Sequence, residues 1–416
     1  QIIKIGEITL LDNEGDASEL LKGAADSKVK LTYLRQGKTE TTTLTRGAID
    51  VRAVPFYQLI SDDIGYIVLS KFNRKTTTET KAALKDLKLQ GATKIILDLR
   101  GNPGGLLTEA INVVNLFVPK GASIVTTKSA IKKYNKTYKT QKPAFDTEIP
   151  LVVLVNGRSA SASEIVSGGL QDLDRAVVIG ARSFGKGLVQ RPKKLTYGTQ
   201  LKVTISRYYT PSGRCIQALD YWNRDENGDP VRLGTEEYNS FKTKGGRTVY
   251  DGGGIMPDIE LESGEFSPIT TALLKDQAIF DYATNYYYNN KINNWEDFSF
   301  SNRDFQDFLM FLKTNNFEYE TETEKLFSEA LRKSEDEHLQ KNISSSYNQL
   351  MTVLDDAKEK ALVEKKEEII NLLSDEILKR YFYRDGMYKY HLNYSPEILE
   401  AVSVLNNTSR YQKILK

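Results

Sequence analysis

Cysteine and histidine are almost missing from this chain. There is one cysteine, Cys215, and there are two histidines, His338 and His391, both in the far C-terminal part. A single thiol builds neither a disulfide framework nor a cysteine zinc cluster within the chain. A site needing several imidazoles is all but excluded, and a Ser-His-Asp arrangement would have to borrow one of those two residues. Net charge is missing too: Lys+Arg 57 against Asp+Glu 55 leaves +2, so steering toward nucleic acid by bulk charge is not expected. No apolar run approaches the ~18 residues of a membrane helix; the best, Ile149 to Val155, has the length of a strand. The opening Gln1-Ile2-Ile3-Lys4-Ile5 carries neither an initiator Met nor a charged-then-apolar signal segment. It reads as a fragment whose targeting information has been cut away.

What is present is the composition of a globular protein: 416 residues, 40% hydrophobic and 27% charged, enough for two or three units with cores of their own. Residues 1–53 have a compact β/α character. Asp16 to Gly23 reads as a short capped helix, and Lys28 to Arg35, Gln36-Gly37-Lys38 and Thr39 to Arg46 read as a hairpin. From Gly65 the pattern becomes strands alternating with helices. Strands are expected at 65–70, 94–98, 150–155 and 176–180, with helices at 78–89, 106–118 and 162–173 and a β-like alternation over 201–210. Near-continuous Val/Ile/Leu strands separated by helices indicate a layered α/β core with a covered sheet. After Pro268 the chain turns helical and charged. Leu350, Leu354, Ala357 and Ala361 make one face apolar, with Asp355, Asp356, Lys358, Glu359 and Lys360 expected on a solvated face opposite. The clusters Tyr286-Tyr287-Tyr288 and Tyr381-Phe382-Tyr383 are expected to pack helices.

Three stretches carry the chemistry. Ser159-Ala160-Ser161-Ala162-Ser163-Glu164 lies between a buried strand and a helix. Small residues there let a hydroxyl project at a helix N-terminus, where free N–H groups can hold an oxyanion; the plain alternative is a capping box of Ser161 and Glu164. Gly180-Ala181-Arg182-Ser183-Phe184-Gly185-Lys186-Gly187 matches the start of a phosphate-binding loop. It then places Gly187 where a hydroxyl for magnesium is needed, so nucleotide binding is a poor reading. With no histidine in this half of the chain, Lys186 is the remaining base for a serine, provided its amine is uncharged, which takes shelter from water and from carboxylates. The third stretch, Asp98-Leu99-Arg100-Gly101-Asn102-Pro103-Gly104-Gly105, runs from a strand into a helix. Its glycine amides can approach a substrate carbonyl closely. Its spacing is not that of a dinucleotide site.

Taken together these stretches resemble the C-terminal processing peptidases, also called tail-specific proteases. The resemblance runs from about Gly65 to Ile259. It includes D-L-R-G-N-P-G-G (98–105), S-A-S-A-S-E-I (159–165), F-G-K-G-x-V-Q (184–190), Y-Y-T-P-S-G-R (208–214) and G-G-I-x-P-D (253–258). It implies a crotonase/ClpP-like α/β protease core over residues 54–267 and a serine endopeptidase acting on protein or peptide substrates. Ser161 falls on the nucleophile, Lys186 on the base and Gln190 on the glutamine that positions the lysine. The amide of Ala162 and that of Gly104 or Gly105 fall on the oxyanion hole. An extended strand would set Lys186 and Gln190 roughly 13 Å apart, so the segment must curl if they touch. Residues 1–53 resemble the latter part of a PDZ domain, whose early strands and carboxylate-binding loop would precede Gln1. Residues 268–416 resemble the variable helical extensions of the family and are left as a surface for a homo-oligomer or an adaptor. Neither cofactor nor metal is implied, and the family suggests a bacterial envelope or periplasmic location. A catalytically latent peptide-binding scaffold is the alternative reading.

Overall fold

The computed structural model describes residues 1–10, 16–226, 228–232, 234–261 and 266–416 and divides into two compact units, Gln1–Arg52 and Ala53–Lys416. In the first unit β1 (Ile2–Ile5), β2 (Ile8–Thr9), α1 (Ala17–Leu21), β3 (Lys28–Arg35) and β4 (Lys38–Thr45) form an antiparallel sheet of order β2-β1-β3-β4 with one short helix. Asp16 caps that helix by accepting from the Ser18 N–H at 2.8 Å. The expected hairpin is present, and its two-residue turn has positive φ at both Gln36 and Gly37, which matches the twist of the flanking strands. Ile5, Val29 and Leu31 form a small core beneath it with Leu20 and Leu21.

The second unit opens with β5 (Phe56–Ile60), β6 (Ile64–Val68), α2 (Thr76–Leu89), β7 (Lys94–Asp98), α3 (Leu107–Phe117), β8 (Ser123–Lys128) and β9 (Lys136–Lys139). It continues with β10 (Leu151–Val155), α4 (Ala162–Asp172), β11 (Val177–Gly180), β12 (Leu188–Lys194) and β13 (Gln200–Tyr209). Two small hairpins follow, β14 (Leu219–Arg224) with β15 (Pro230–Arg232) and β16 (Ser240–Lys242) with β17 (Thr248–Tyr250), and then β18 (Ile259–Glu260). The central sheet has the order β18-β11-β10-β7-β6-β5 and is parallel except for β5. A second sheet, β12-β13-β8-β9, is antiparallel. The fold is thus mixed α/β, as expected.

Successive side chains of a strand point to opposite faces, and both faces of the central sheet are covered. On one side Ile67, Ile95, Leu97, Val153 and Val178 pack with α2, α3 and α4 through Leu84, Leu87, Val113 and Val166. The other side was not foreseen. Eight helices form the C-terminal region: α5 (Pro268–Lys275), α6 (Ala278–Asn289), α7 (Asn302–Thr314), α8 (Glu322–Asp336), α9 (Gln340–Glu364), α10 (Lys366–Tyr394), α11 (Pro396–Asn406) and α12 (Thr408–Ile414). The last two lay Ile398, Ala401, Val404, Leu405 and Tyr411 on Tyr66, Ile96, Val152, Leu154 and Ile179 of the sheet. The final helices complete the core, because a parallel sheet buried on one side only would leave its other Val/Ile/Leu face in water.

One finer expectation in this region also changes. The apolar face of α9 is partly exposed, with Leu350 at 45% and Ala361 packed against the helical core. Lys358 leaves the expected solvated row to pair with the buried Glu324 and with Asp355. The tyrosine clusters do pack helices: Tyr286 lies against Tyr282 and Phe300, and Tyr287 against Tyr381.

Candidate active site

The turn from β10 into α4 holds three alternate serines, and the structure gives them different work. Ser159 Oγ donates to the Leu99 carbonyl at 2.8 Å and Ser163 Oγ to the Asn102 carbonyl at 2.9 Å, both fully buried. These two staple the turn to the glycine-rich stretch after β7. The middle serine is left over. Ser161 is only half-buried and makes no side-chain cap bond. It holds φ 56° and ψ −108°, outside the wells a non-glycine residue ordinarily occupies. Backbone strain of this kind persists only where the surroundings over-determine it, and here they do. The Ala160 N–H donates to the Asn102 carbonyl at 3.0 Å, and the Glu164 and Ile165 amides both donate to the Ser161 carbonyl at 3.0 Å.

The capping reading is half met and leads further than a cap. Glu164 is fully buried at the third position of α4, and its carboxylate accepts from the Ser161 N–H at 2.7 Å. The same oxygen accepts from the Lys186 N–H at 2.9 Å, and the other oxygen from the Gly185 N–H at 2.7 Å and the Ser183 hydroxyl at 2.6 Å. One side chain thus fixes the backbone of Ser161 and that of Lys186 to a single atom. Burial pushes this carboxyl above its usual range, and the four donors only partly pull it back. The sequence offered one signal for this role: a capping-box glutamate on a helix with no polar face has nowhere to go but inward.

The lysine loop is held from its other side as well. Gly185, with φ +86°, has its Cα hydrogen aimed at Ala218, where an added Cβ would come within 2.3 Å of the alanine methyl. The Gly187 N–H donates to Gln217 Oε1 at 2.8 Å, and the Ala218 N–H to the Gly185 carbonyl at 3.0 Å. Ser183 accepts from the Ile255 N–H at 2.7 Å, which ties the loop to the Gly253–Asp258 stretch. All these anchors are main-chain or lie on neighbouring residues. The Lys186 side chain itself is exposed and, among the described residues, has no carboxylate partner. The expected shelter from water is not seen, because the loop is gripped from below and its outer side faces solvent.

Candidate oxyanion donors are present on both sides of Ser161. The Ala162 amide begins α4, where no residue a turn earlier can accept from it. Among the described residues neither it nor the Gly105 amide has a hydrogen-bond partner, whereas the Gly104 N–H is committed to Asn102 Oδ1 at 2.9 Å. Gly104, with φ +98°, presses on the nucleophile turn so closely that an added Cβ would stand 2.9 Å from the Ala162 nitrogen. Gln190 is not brought to Lys186. It lies in β12, exposed, with its amide 3.5 Å from Thr204 Oγ1, and although the β12–β13 pairing has an irregularity between Val189 and Gln190, the strand does not curl back. Tyr208, the first residue of the Y-Y-T-P-S-G-R stretch, is buried; burial raises its hydroxyl above the ordinary range, an effect the Ser161 side chain partly offsets. The Tyr208 N–H donates to the Gly187 carbonyl at 2.7 Å.

Comparison with known proteins gives a family and relatives. The profile of peptidase family S41 matches residues 63–221, and that described as "Probable PDZ-protease, C-terminal helical domain" matches residues 269–405. A carboxy-terminal-processing protease of Bartonella bacilliformis is 41% identical over 213 residues, covering 49% of this chain and 48% of that protein. A chloroplastic C-terminal processing peptidase of Tetradesmus obliquus is 34% identical over 236 residues, covering 53% and 50%. The chain thus spans about half the length of these relatives. Among solved structures, a photosystem II D1 C-terminal processing protease is 29% identical with a TM-score of 0.40, covering 63% of this chain and 62% of that one. Residues 63–221 thus match peptidase family S41, and about half of the chain is similar to C-terminal processing proteases.

Proposed function

We propose that the protein is a serine endopeptidase that cleaves protein chains near their C-termini through a Ser161–Lys186 dyad. The observation that carries the proposal is the single Glu164 oxygen that accepts from the amides of both residues. The uncharged Lys186 amine takes the Ser161 proton as Oγ attacks the scissile carbonyl, and the amides of Ala162 and Gly105 hold the oxyanion. The lysine then hands the proton to the leaving amine, and water releases the acyl group from the serine. The shelter an uncharged amine needs comes from the substrate, whose chain covers the outer side of the loop. On this proposal the enzyme rests with Ser161 against Tyr208 and Gln190 against Thr204, and is completed when peptide is bound.

The wider readings are proposals of the same kind. The α/β core is crotonase/ClpP-like; residues 1–53 are PDZ-like; the location is the bacterial envelope. Ser161→Ala and Lys186→Ala should each abolish casein cleavage with the thermal melt nearly unchanged. Retention of most activity by either variant rejects the dyad. A fluorophosphonate that leaves Ser161 unlabelled, together with tight peptide binding, would instead establish the latent scaffold.

A further inference from the structure

A chain with almost no net charge hides one strongly one-signed region. Between Glu109 and Asp146 there is no acidic residue, and between Asp174 and Asp220 there is none either. Those two segments are the ones that pair to form the β12-β13-β8-β9 sheet. From the first come Lys128, Lys132, Lys133, Lys136 and Lys139, and from the second Arg191, Lys193, Lys194, Lys202 and Arg207, all exposed. They lie on both faces of this sheet, Lys193 on one and Lys194 and Lys202 on the other. Arg207 and Lys128 are direct partners across the β13–β8 ladder, and the Arg191 guanidinium lies 6.0 Å from the ring of Tyr134, between Lys133 and Lys136 in sequence. Like charges facing each other across a ladder are unfavourable. Among the described residues none of these ten makes an ion pair; the pairs of the unit lie elsewhere, as at Arg100–Asp98, Arg214–Asp172 and Arg247–Asp174. The next acidic residue along, Asp220, is occupied by the Trp222 N–H at 2.9 Å and Asn223 Nδ2 at 2.7 Å.

The far end of this sheet has a different character. Every residue from 191 to 204 is exposed, so β12 and β13 project as a two-stranded ribbon. Its turn, Leu195 to Thr199, carries no charge. Tyr197 at its apex is completely exposed (101%), with Leu195 at 49% and Leu201 at 51%. Immediately behind stand Lys193, which faces Leu201, Lys194, which faces Gln200, and Lys202, which faces Pro192. An uncharged leucine–tyrosine tip with a lysine collar suits a surface that is apolar within and anionic at its skin. Tyrosine is favoured at the level of lipid headgroups, and each nearby lysine adds attraction to acidic ones. A partner that was only polyanionic would use the lysines and leave the tip in water.

We infer that the β12–β13 ribbon docks the protein on an anionic lipid bilayer, its tip and lysine collar at the headgroup level. The inference does not depend on the dyad.

Co-sedimentation of the protein with vesicles of phosphatidylglycerol and phosphatidylcholine in equal parts tests it, with phosphatidylcholine vesicles as the neutral arm. Binding to the anionic vesicles and its absence from the neutral ones is expected, falling steeply with salt. K193E/K194E/K202E should weaken it by about 100-fold or more, and L195S/Y197S should weaken it without changing retention on heparin. Both variants alter exposed positions, and an unchanged thermal melt certifies them. No binding to anionic vesicles overturns the proposal. So does binding that L195S/Y197S leaves intact, or heparin and poly-glutamate competing as well for that variant as for the unaltered chain; these results assign the surface to an acidic polymer instead.

Discussion

At the scale of single residues the site depends on Glu164 more than on any group with a chemical role in the proposed reaction. Its carboxylate is an acceptor at both oxygens, as four donors require. Glu164→Gln keeps the shape and replaces one acceptor oxygen by an NH2 that must face amides already donating, leaving two of them unsatisfied. The expected result is a loss of about 2–3 kcal/mol in urea unfolding, together with a fall of about 100-fold or more in fluorophosphonate labelling of Ser161, since the serine and lysine segments lose their common anchor. Labelling at the unaltered rate would show that the carboxylate is only a helix cap. Ser161 and Lys186 stood out as candidates because small residues and glycines bracket them in short runs. The far contacts of Glu164, Asn102 and Tyr208 did not, because they are set by partners far away in the chain. Asn102 Nδ2, for example, reaches the Leu69 carbonyl at 2.6 Å. The exposure of Lys186 was illegible for a related reason: neighbouring apolar residues show that a loop is gripped, not from which side.

At the scale of elements the strands and helices of the core could be read because their Val/Ile/Leu runs and periodicities are long. How far the apolar face of α9 is covered was not readable, because a stripe in the sequence does not name its partner. The α8–α9 pair is secured by a polar clasp instead. Glu324 caps α8 with Thr321 and lies 4% exposed beside Lys358. Burial alone would raise its carboxyl; the Lys358 ammonium and the Thr321 donors overcome this and hold it below the ordinary value of 4.5. A lowered carboxyl stabilises the fold above that ordinary value, and the stabilisation is lost as pH falls through the lower folded one. Lys358, also working against burial, is held above its ordinary 10.5, so its share is complete below that pH and disappears only as pH rises past it. The clasp is therefore whole between these limits. At neutral pH Glu324→Gln should reduce hydrogen-exchange protection of the α8–α9 amides by about 10-fold or more, and the two proteins should converge on acidification to about pH 3. A difference that persists unchanged at the acid end would show that the variant acts through packing rather than charge.

At the scale of the whole molecule, the ends of the chain differ in what the fold requires of them. Gln1–Arg52 is a compact unit with its own core, whereas residues 396–414 serve as one wall of the central sheet. Ile398, Ala401 and Val404 are fully buried there, Leu405 and Tyr411 nearly so, and the Tyr411 hydroxyl accepts from the Leu151 N–H at 2.9 Å. Burying each large side chain contributes about 1.5–3 kcal/mol, so their joint removal takes away an amount comparable to the entire ~5–15 kcal/mol that keeps a domain folded. The same segment is joined to the candidate site. Arg100, two residues beyond β7 and four before Gly104, is held by Asp98 at 2.7 Å on one side and by Glu397 at 2.8 Å and Ser395 at 2.7 Å on the other. A chain ending at Tyr394 should accordingly be insoluble or lack a cooperative transition, although no residue it loses belongs to the dyad. A chain beginning at Ala53 should keep the transition and its labelling by fluorophosphonate. Expression of the two fragments side by side, followed by calorimetry, separates the alternatives. A folded, labelled chain ending at Tyr394 would mean that the sheet tolerates an open face, and that the last two helices are an attachment to the core rather than a layer of it.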